Sequence, residues 1–191
     1  MEIYSPQEDS ELLAMNVRQL ARGKVLDMGT GSGVQALAAL DNKDVESVLA
    51  VDINPAAVVS LNNKLASLPQ EKRSMVVVRR SDMFSDVEGE FDTIICNPPY
   101  LPDEPLVKDV ALDGGSGGYE WSARFLTEAK RHIAPNGKII FLFSNLTNKE
   151  RIDSILHKLG YSFTELSKMH VGFFEVLYVY SIMAHEEKRG D

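Results

Sequence analysis

The sequence has almost no cysteine, no long apolar run and no basic leader. Its single cysteine, Cys96, excludes an internal disulfide and a metal site built from several thiolates. No apolar run approaches the ~18 residues that a membrane-spanning helix needs. The opening residues MEIYSPQEDS are acidic, whereas a signal peptide begins with basic and then apolar residues. These absences predict a cytoplasmic protein that has no membrane partner.

Positive charge is also scarce. The chain has 20 Lys and Arg against 28 Asp and Glu, which gives a formal net charge of −8. Proteins that grip nucleic-acid phosphates usually show a basic face, whereas basic residues here are scattered in pairs such as Lys72-Arg73. Charge therefore disfavours nucleic acid as the main partner. The four histidines show no ligand spacing, so no metal site is predicted.

Strand and helix signals alternate along the chain. Predicted strands are short apolar runs at 24–29, 47–53, 74–80, 91–97 and 138–145, followed by YSFTELS and FFEVLYVYSI. The first predicted helix begins at the capping-box pattern Ser5-Pro6-Gln7-Glu8, with proline at the first helical position. The other predicted helices occupy 33–40, 54–68, 119–133 and 147–160.

Continuous apolar strands that alternate with helices are typical of a parallel sheet covered on both faces. The final two strands are joined by a short loop around Gly172, which requires one antiparallel pair. We therefore predict a single α/β domain over 1–191, with a doubly wound, seven-stranded, mostly parallel sheet and an antiparallel final strand. Ligands of such sheets bind at the carboxyl ends of the strands.

A glycine-rich loop, DMGTGSG at 27–33, lies between the first predicted strand and a helix. Glycines there let the backbone turn tightly and approach a ligand at the helix N-terminus. The G-x-G-x-G spacing differs from the G-x-G-x-x-G of dinucleotide binders, and Asp27 would repel a phosphate. A carboxylate beside the loop suits a cationic ligand, and the alternative is a glycine turn that binds nothing.

Two further acids end neighbouring strands. Asp52 ends the second strand in AVDINP, where an acid can accept both hydroxyls of a ribose. A helix-capping role for Asp52 is less favoured because Asn54 already supplies the cap. Asp82 follows the third strand and offers another acid at the same edge, or is a solvated turn residue.

The motif Asn97-Pro98-Pro99-Tyr100 ends the fourth strand. A proline-rich turn alone would not explain a polar amide and an aromatic ring at the ligand-binding edge. Asn97 Oδ1 and the Pro98 carbonyl could accept the two N–H bonds of a planar NH₂ group, while Tyr100 stacks on its plane. This pattern predicts a site that binds and orients a planar NH₂ group, with Asn97, Pro98 and Tyr100 as the candidate catalytic residues.

Together the glycine loop, Asp52, Asp82 and residues 97–100 resemble class I S-adenosylmethionine-dependent methyltransferases of the amino- or amide-nitrogen type. The opening, residues 4–10, resembles the Y-x-P-x-E-D-[ST] start of the short archaeal and eukaryotic branch of HemK-type glutamine methyltransferases. That family modifies the glutamine of the GGQ loop in class I peptide release factors. The resemblance implies a Rossmann-like fold, S-adenosylmethionine as cofactor and a release factor as protein substrate.

The resemblance also implies a role for individual positions. Ser10 and Asp27 would lie near the methionine part of the cofactor, with Gly29 and Gly31 beneath it. Asp52 would take the ribose, Asp82 and Met83 the adenine, and Asn97 would lie between cofactor and substrate. The glycine-rich segment 113–118 departs from the family pattern, and its role as a substrate-facing flap is left open.

The charge of the loop after the NPPY motif bears on the methyl acceptor. The loop after Tyr100 carries four acids and one lysine between 103 and 113, which favours a basic protein loop over phosphates. Two alternative functions stay open: an adenine N6- or guanine N2-methyltransferase acting on RNA or DNA, which shares the NPPY motif, and a non-catalytic cofactor-binding subunit.

The third strand, 74–80, is expected at a sheet edge, where unpaired backbone groups can bind another strand. The resemblance implies a small zinc-binding activator protein, which we expect to bind this edge by β-augmentation.

Overall fold

The computed structural model describes residues 6–99 and 119–184. The strands are β1 Gly23–Met28, β2 Val45–Asp52, β3 Val76–Arg80, β4 Phe91–Cys96, β5 Ile133–Ser144, β6 Tyr161–Val171 and β7 Glu175–Ala184. The helices are α1 Glu8–Leu20, α2 Val34–Ala39, α3 Pro55–Ala66, α4 Gln70–Ser74, α5 Glu120–Ala129 and α6 Lys149–Lys158, and a 3-10 turn spans Asn145–Thr147. Within these ranges no helix is long and apolar enough to cross a membrane.

All seven strands form one sheet in the order β3-β2-β1-β4-β5-β7-β6. The pairs from β3 to β5 are parallel, and β7 runs antiparallel to both of its neighbours, β5 and β6. The predicted fold class is therefore confirmed, and β3 lies at an edge of the sheet as expected.

The order of the strands also fixes where a ligand can bind. From β1 the chain winds outward to β2 and β3, then returns to place β4 on the other side of β1. The connections leave the carboxyl ends of β1 and β4 in opposite directions, and this opens a crevice between them. The glycine loop follows β1 and the NPPY motif follows β4, so that both border the crevice.

Side chains of the central strands point alternately to the two faces of the sheet, and both faces are buried. Leu26 and Ile94 belong to a cluster that includes buried side chains of α5 and α6. Val25 and Ile95 belong to a second cluster, with side chains of α1, α2 and α3. Cys96 is fully buried in the first cluster, where it packs as a small core residue.

The largest difference from the predicted elements is at β5, which begins at Ile133 and not at 138, and α5 correspondingly ends at Ala129 and not at 133. Two helix starts also differ. The helix α1 begins at Glu8, its N-cap residue Gln7 makes no side-chain capping bond, and Pro6 precedes the helix, so the predicted proline position was wrong. Ser5 lies outside the described residues. The cap of α6 is Asn148 in place of the predicted Thr147, because asparagine tolerates the left-handed φ of 62° and its Oδ1 accepts from the Arg151 N–H at 3.1 Å. The unpredicted α4 delays the start of β3 to Val76.

Candidate functional site

The carboxyl ends of four neighbouring parallel strands bring most of the predicted site residues to one edge of the sheet. Asp27 lies in β1 opposite Ile95 of β4, so Asn97 follows β4 at the adjacent position in the sheet. Asp52 is the last residue of β2, and Asp82 follows β3 after one residue. The structure therefore gathers residues that are up to 70 positions apart, as the doubly wound fold predicted.

The three glycines of the loop all adopt left-handed backbone angles, but they face different surroundings. A Cβ on Gly29 would meet no heavy atom within 4 Å, and one on Gly31 would meet only the Gly29 carbonyl oxygen at 3.9 Å. A Cβ on Gly33 would lie 2.4 Å from Leu61 Cδ1. The first two glycines thus border open space that can admit a ligand, whereas Gly33 is required for packing of α3 against the loop.

Asp27 is buried beneath this loop. Its Oδ2 accepts hydrogen bonds from Thr30 Oγ1 at 2.6 Å and from the Ala36 N–H at 3.0 Å. Burial raises the pKa of Asp27 to about 7, although these two hydrogen bonds lower it, and the nearby charge of Asp52 adds a smaller increase. A cationic group beside the loop would favour the carboxylate form, so the site suits a cation.

Asp52 connects the end of β2 to the glycine loop. Its Oδ2 accepts from the Gly31 N–H and its Oδ1 from the Asn54 N–H, each at 2.8 Å. Asn54 caps α3 through the Ala56 N–H at 3.0 Å, which confirms that the cap is supplied by Asn54. Each carboxylate oxygen has further acceptor capacity, so the half-buried Asp52 can accept ligand hydroxyls as well.

The turn after β3 has one exposed and one buried candidate. Asp82 is exposed and lies 3.4 Å from Arg124 Nη1, a weak surface ion pair. Met83 is buried, its φ of 48° is left-handed, and its carbonyl accepts from Ser81 Oγ at 2.7 Å. A left-handed methionine is uncommon and is held here by its surroundings. The predicted roles of these two residues toward an adenine stay predictions.

Asn97 has the most informative hydrogen-bond pattern of the site. Its Nδ2 donates to Asp9 Oδ2 at 2.7 Å. Its Oδ1 is buried and accepts no hydrogen bond from the described residues. Leaving a buried acceptor without a partner costs about 1–3 kcal/mol, so such a group in a native structure calls for an explanation, and at this edge of the sheet a ligand N–H supplies one. Asp9 thus fixes the amide so that its oxygen is available to accept an N–H.

Asp9 is a site residue that the sequence predictions missed. It lies in the first turn of α1 and is 2% exposed. The neighbouring Ser10, which was predicted near the cofactor, is also buried, and its carbonyl accepts from Gln35 Nε2 at 3.0 Å. The available signal was the position of Asp9 on the same helical face as Leu13, because an acid on an apolar face needs a partner.

The other predicted residues contribute less or fall outside the described ranges. Pro98 is buried and is the residue directly after Asn97, so its backbone carbonyl is close in sequence to the Asn97 side-chain amide. Tyr100, the acids between 103 and 113, and the glycine-rich segment 113–118 lie outside the described residues. Trp121 stacks on Phe125 with ring centroids 5.7 Å apart and packs against the first hydrophobic cluster.

The sequence comparisons identify relatives along nearly the whole chain. The model of the methyltransferase small domain family matches residues 5–173. A provisionally named protein N5-glutamine methyltransferase of Methanocaldococcus jannaschii is 34% identical over 183 residues, which span 93% of this chain and 90% of that protein. A release factor glutamine methyltransferase of Rhodospirillum rubrum is 36% identical over 152 residues, which span 72% of this chain but only 46% of the bacterial protein.

A solved structure has the same architecture. A chain of the Mtq2–Trm112 complex of E. cuniculi, described as responsible for the methylation of the eRF1 translation termination factor, superposes with a TM-score of 0.74. The two chains are 25% identical, and the match covers 97% of this chain and 100% of the other. The similarity therefore includes the crevice edge of the sheet and both of its outer strands.

Proposed function

Because the chain belongs to the methyltransferase small domain family, we propose that it is an S-adenosylmethionine-dependent enzyme that methylates a side-chain amide nitrogen of glutamine in a protein. The substrate we propose is the glutamine of the GGQ motif in a peptide chain release factor, and the domain we propose spans the whole chain. The observation that carries the proposal is the Asn97 amide, whose buried Oδ1 is held ready to accept an N–H.

The residues at the crevice fit the proposed cofactor. Gly29 and Gly31 leave open space along the loop, and Asp27 provides a carboxylate suited to a positively charged methionine moiety. Asp52 has acceptor capacity for the ribose hydroxyls. We assign Ser10 to the methionine end, and Asp82 and Met83 to the adenine end.

Positioning of the acceptor nitrogen is the main catalytic task of the chain. The lone pair of an amide nitrogen is delocalised into its carbonyl, so the nitrogen is a poor nucleophile. We assign Asn97 Oδ1 and the Pro98 carbonyl as the acceptors of its two hydrogens and Tyr100 as the ring that stacks on its plane, which together would aim the nitrogen at the methyl donor. Orientation of this kind can contribute up to ~7–11 kcal/mol of the barrier reduction.

The donor makes a strong general base unnecessary. When bound, S-adenosylmethionine supplies an electrophilic methyl group and leaves as a neutral thioether. The substrate proton can therefore leave late, to water, and we assign no residue of the chain as its acceptor. Asp9 is assigned a positioning role, because its Oδ2 accepts a hydrogen bond from Asn97 Nδ2.

A labelled methyl donor tests the proposal against its rivals. We expect label in an intact release factor, at the GGQ glutamine by mass spectrometry, and none in total RNA. Asn97→Ala should abolish the transfer and leave a folded protein, because its amide lies beyond the end of β4 and outside the hydrophobic core. Asn62→Ala, an exposed asparagine on α3, is the matched control.

Three results would contradict this function. Label in RNA alone would favour the nucleic-acid methyltransferase, which shares the NPPY motif. Near-normal turnover by a folded Asn97→Ala variant would show that the positioning mechanism is wrong. Cofactor binding with no transfer to either substrate would favour the non-catalytic subunit.

We further propose that β3 binds a small zinc-binding partner subunit through its outer edge. Within the described ranges no strand pairs with that edge, and Val77 is 54% exposed on it. The similar Mtq2 chain forms a complex with Trm112. Val77→Lys should weaken the heterodimer more than it weakens cofactor binding, whereas Met15→Lys, at a 51% exposed site on α1, should not. A fully active protein that binds no partner would contradict this assignment.

A further inference from the structure

Two adjacent phenylalanines at the turn between β6 and β7 are almost fully exposed. Phe173 is 98% exposed and Phe174 is 87% exposed, with ring centroids 6.4 Å apart. Leu146, in the adjoining 3-10 turn, is 42% exposed. We call these three side chains the hairpin-tip surface. Folding gains nothing from exposing them, and adjacent exposed apolar side chains often mark an interaction site.

The chain holds this turn in a defined conformation. Asn145 Nδ2 donates to the Phe174 carbonyl at 3.0 Å, and Asn145 Oδ1 accepts from the Val176 N–H at 2.7 Å. The β6–β7 pairing continues up to the pair Val171 and Glu175, directly below the turn. A surface that is already ordered loses little conformational entropy when a partner binds.

The hairpin-tip surface lies at the same edge of the sheet as Asn97. The strand β6 runs in the direction of β4 and β5, because both β6 and β5 are antiparallel to β7. Cys96, Phe141 and Tyr180 are at one level across the sheet. Phe174 lies six residues before Tyr180, so along β7 it is about 20 Å beyond the level of Cys96. Across the sheet, β7 is two strands from β4, which adds a lateral offset of about 10 Å.

This position restricts what the surface can contact. A small free amide bound at Asn97 could not reach a surface on the order of 20 Å away, whereas a macromolecule that carries the reacting amide could. Between Met169 and Leu177 the ionisable side chains are His170 and Glu175, with no lysine or arginine. Since phosphate contacts dominate nucleic-acid affinity, this composition favours a protein.

We propose that the hairpin-tip surface is a docking site for an apolar patch on the acceptor protein, separated from the methylated glutamine by on the order of 20 Å. This inference rests on the proposed function and adds a second contact to it. The surface borders the end of the sheet opposite β3, so the acceptor and the proposed partner subunit can bind together. Aromatic side chains on a preordered turn are suited to such a contact.

Comparing an intact release factor with a short GGQ peptide tests the inference. In the double variant Phe173→Ser and Phe174→Ser, KM for the intact factor should rise about tenfold or more, while kcat is unchanged. The peptide is too short to reach the tip, so its kcat/KM should stay at the wild-type value. S-adenosylmethionine affinity should also be unchanged. Val59→Ser, at a 59% exposed site on α3, is the matched control.

Each other result of these experiments would lead to a different conclusion. A wild-type KM for the intact factor in the double variant would overturn the docking site and leave the proposed function standing. Equal losses on factor and peptide would show that the tip acts within the crevice, again overturning the inference. A wild-type dimer that the double variant abolishes would assign the surface to a second copy, and an RNA affinity that it abolishes would assign it to nucleic acid. No methylation of factor or peptide by the wild type would refute the proposed function, and this inference with it.

Discussion

Removing the Asp9 carboxylate should slow methyl transfer without removing any group proposed to touch the substrate. In the structure Asp9 Oδ2 accepts from Asn97 Nδ2 at 2.7 Å, and this bond selects one of the two flipped orientations of the Asn97 amide. In the flipped orientation an Nδ2 donor would face the N–H donors of the substrate. Asp9→Ala therefore leaves Asn97 in place but removes its preferred orientation.

The expected loss follows from the strength of that bond. A hydrogen bond from a neutral amide to a buried carboxylate contributes about 1.5–3 kcal/mol, which corresponds to about 10- to 150-fold in rate. In Asp9→Asn the new side-chain oxygen can still accept from Asn97, but without the charge. A neutral bond contributes about 0.5–1.5 kcal/mol, so this variant should lie between Asp9→Ala and the wild type.

Asp9 is also one of the acids in the first turn of α1, where a negative charge stabilises the helix by about 0.3–1 kcal/mol. Glu11→Ala removes an exposed acid of the same turn and controls for that effect. The assay is the single-turnover rate at saturating methyl donor, with cofactor affinity by calorimetry and Tm measured in parallel. A wild-type rate in folded Asp9→Ala, or equal losses in Asp9→Ala and Glu11→Ala, would refute the orienting role.

The remaining predictions concern residues on the cofactor side of the crevice. Asp52→Ala should weaken S-adenosylmethionine binding by roughly 2–4 kcal/mol in calorimetry, and unchanged affinity in a folded variant would exclude the proposed ribose contact. Gly33→Ala should lower the free energy of unfolding by about 2–4 kcal/mol, because it combines a left-handed φ with a 2.4 Å approach to Leu61. Gly29→Ala should cost only about 1–2 kcal/mol of stability but more cofactor affinity, and denaturant melts that rank the two glycines the other way would contradict this. Because the pKa of Asp27 is raised to about 7, its carboxylate forms as pH rises through that value, and affinity for the cationic cofactor should increase from pH 6 to pH 8. The unfolded chain has the ordinary pKa of 3.8, so the folded, unliganded protein binds this proton more tightly and loses stability as pH rises from about 4 to 7. Asp27→Asn should flatten the pH profiles of both cofactor affinity and stability.

Local patterns in the sequence determined the fold class. Apolar runs such as 47–53 and 138–145 are each followed by turn or helix-start residues, and their alternation with helices leaves few topologies other than a doubly wound sheet. That topology by itself places the residues after β1, β2, β3 and β4 at one edge. The edge position of β3 follows from the same rule and is confirmed.

Helix starts were harder to predict because several side chains near each start can supply the cap. Thr147 with Glu150 has the capping-box spacing, but the chain enters α6 through Asn148, whose backbone is left-handed. The choice depends on how the 3-10 turn leaves β5, and Ser144 takes part by accepting from the Leu146 N–H at 3.2 Å. Such alternatives differ by about 1 kcal/mol, which tertiary contacts readily outweigh.

The tertiary structure alone decided which residues act on one another across the site. Asp9 and Asn97 are 88 positions apart, and nothing local to either marks the other as its partner. Gly29 and Gly33 are the same residue type and both have left-handed φ angles, yet a Cβ on Gly29 would meet open space and one on Gly33 would clash with Leu61 of α3. The pKa of Asp27 is raised by burial that exists only in the packed fold. Sequence periodicity determines which side of an element is buried, whereas the contacts across the crevice arise only when the helices and strands pack together.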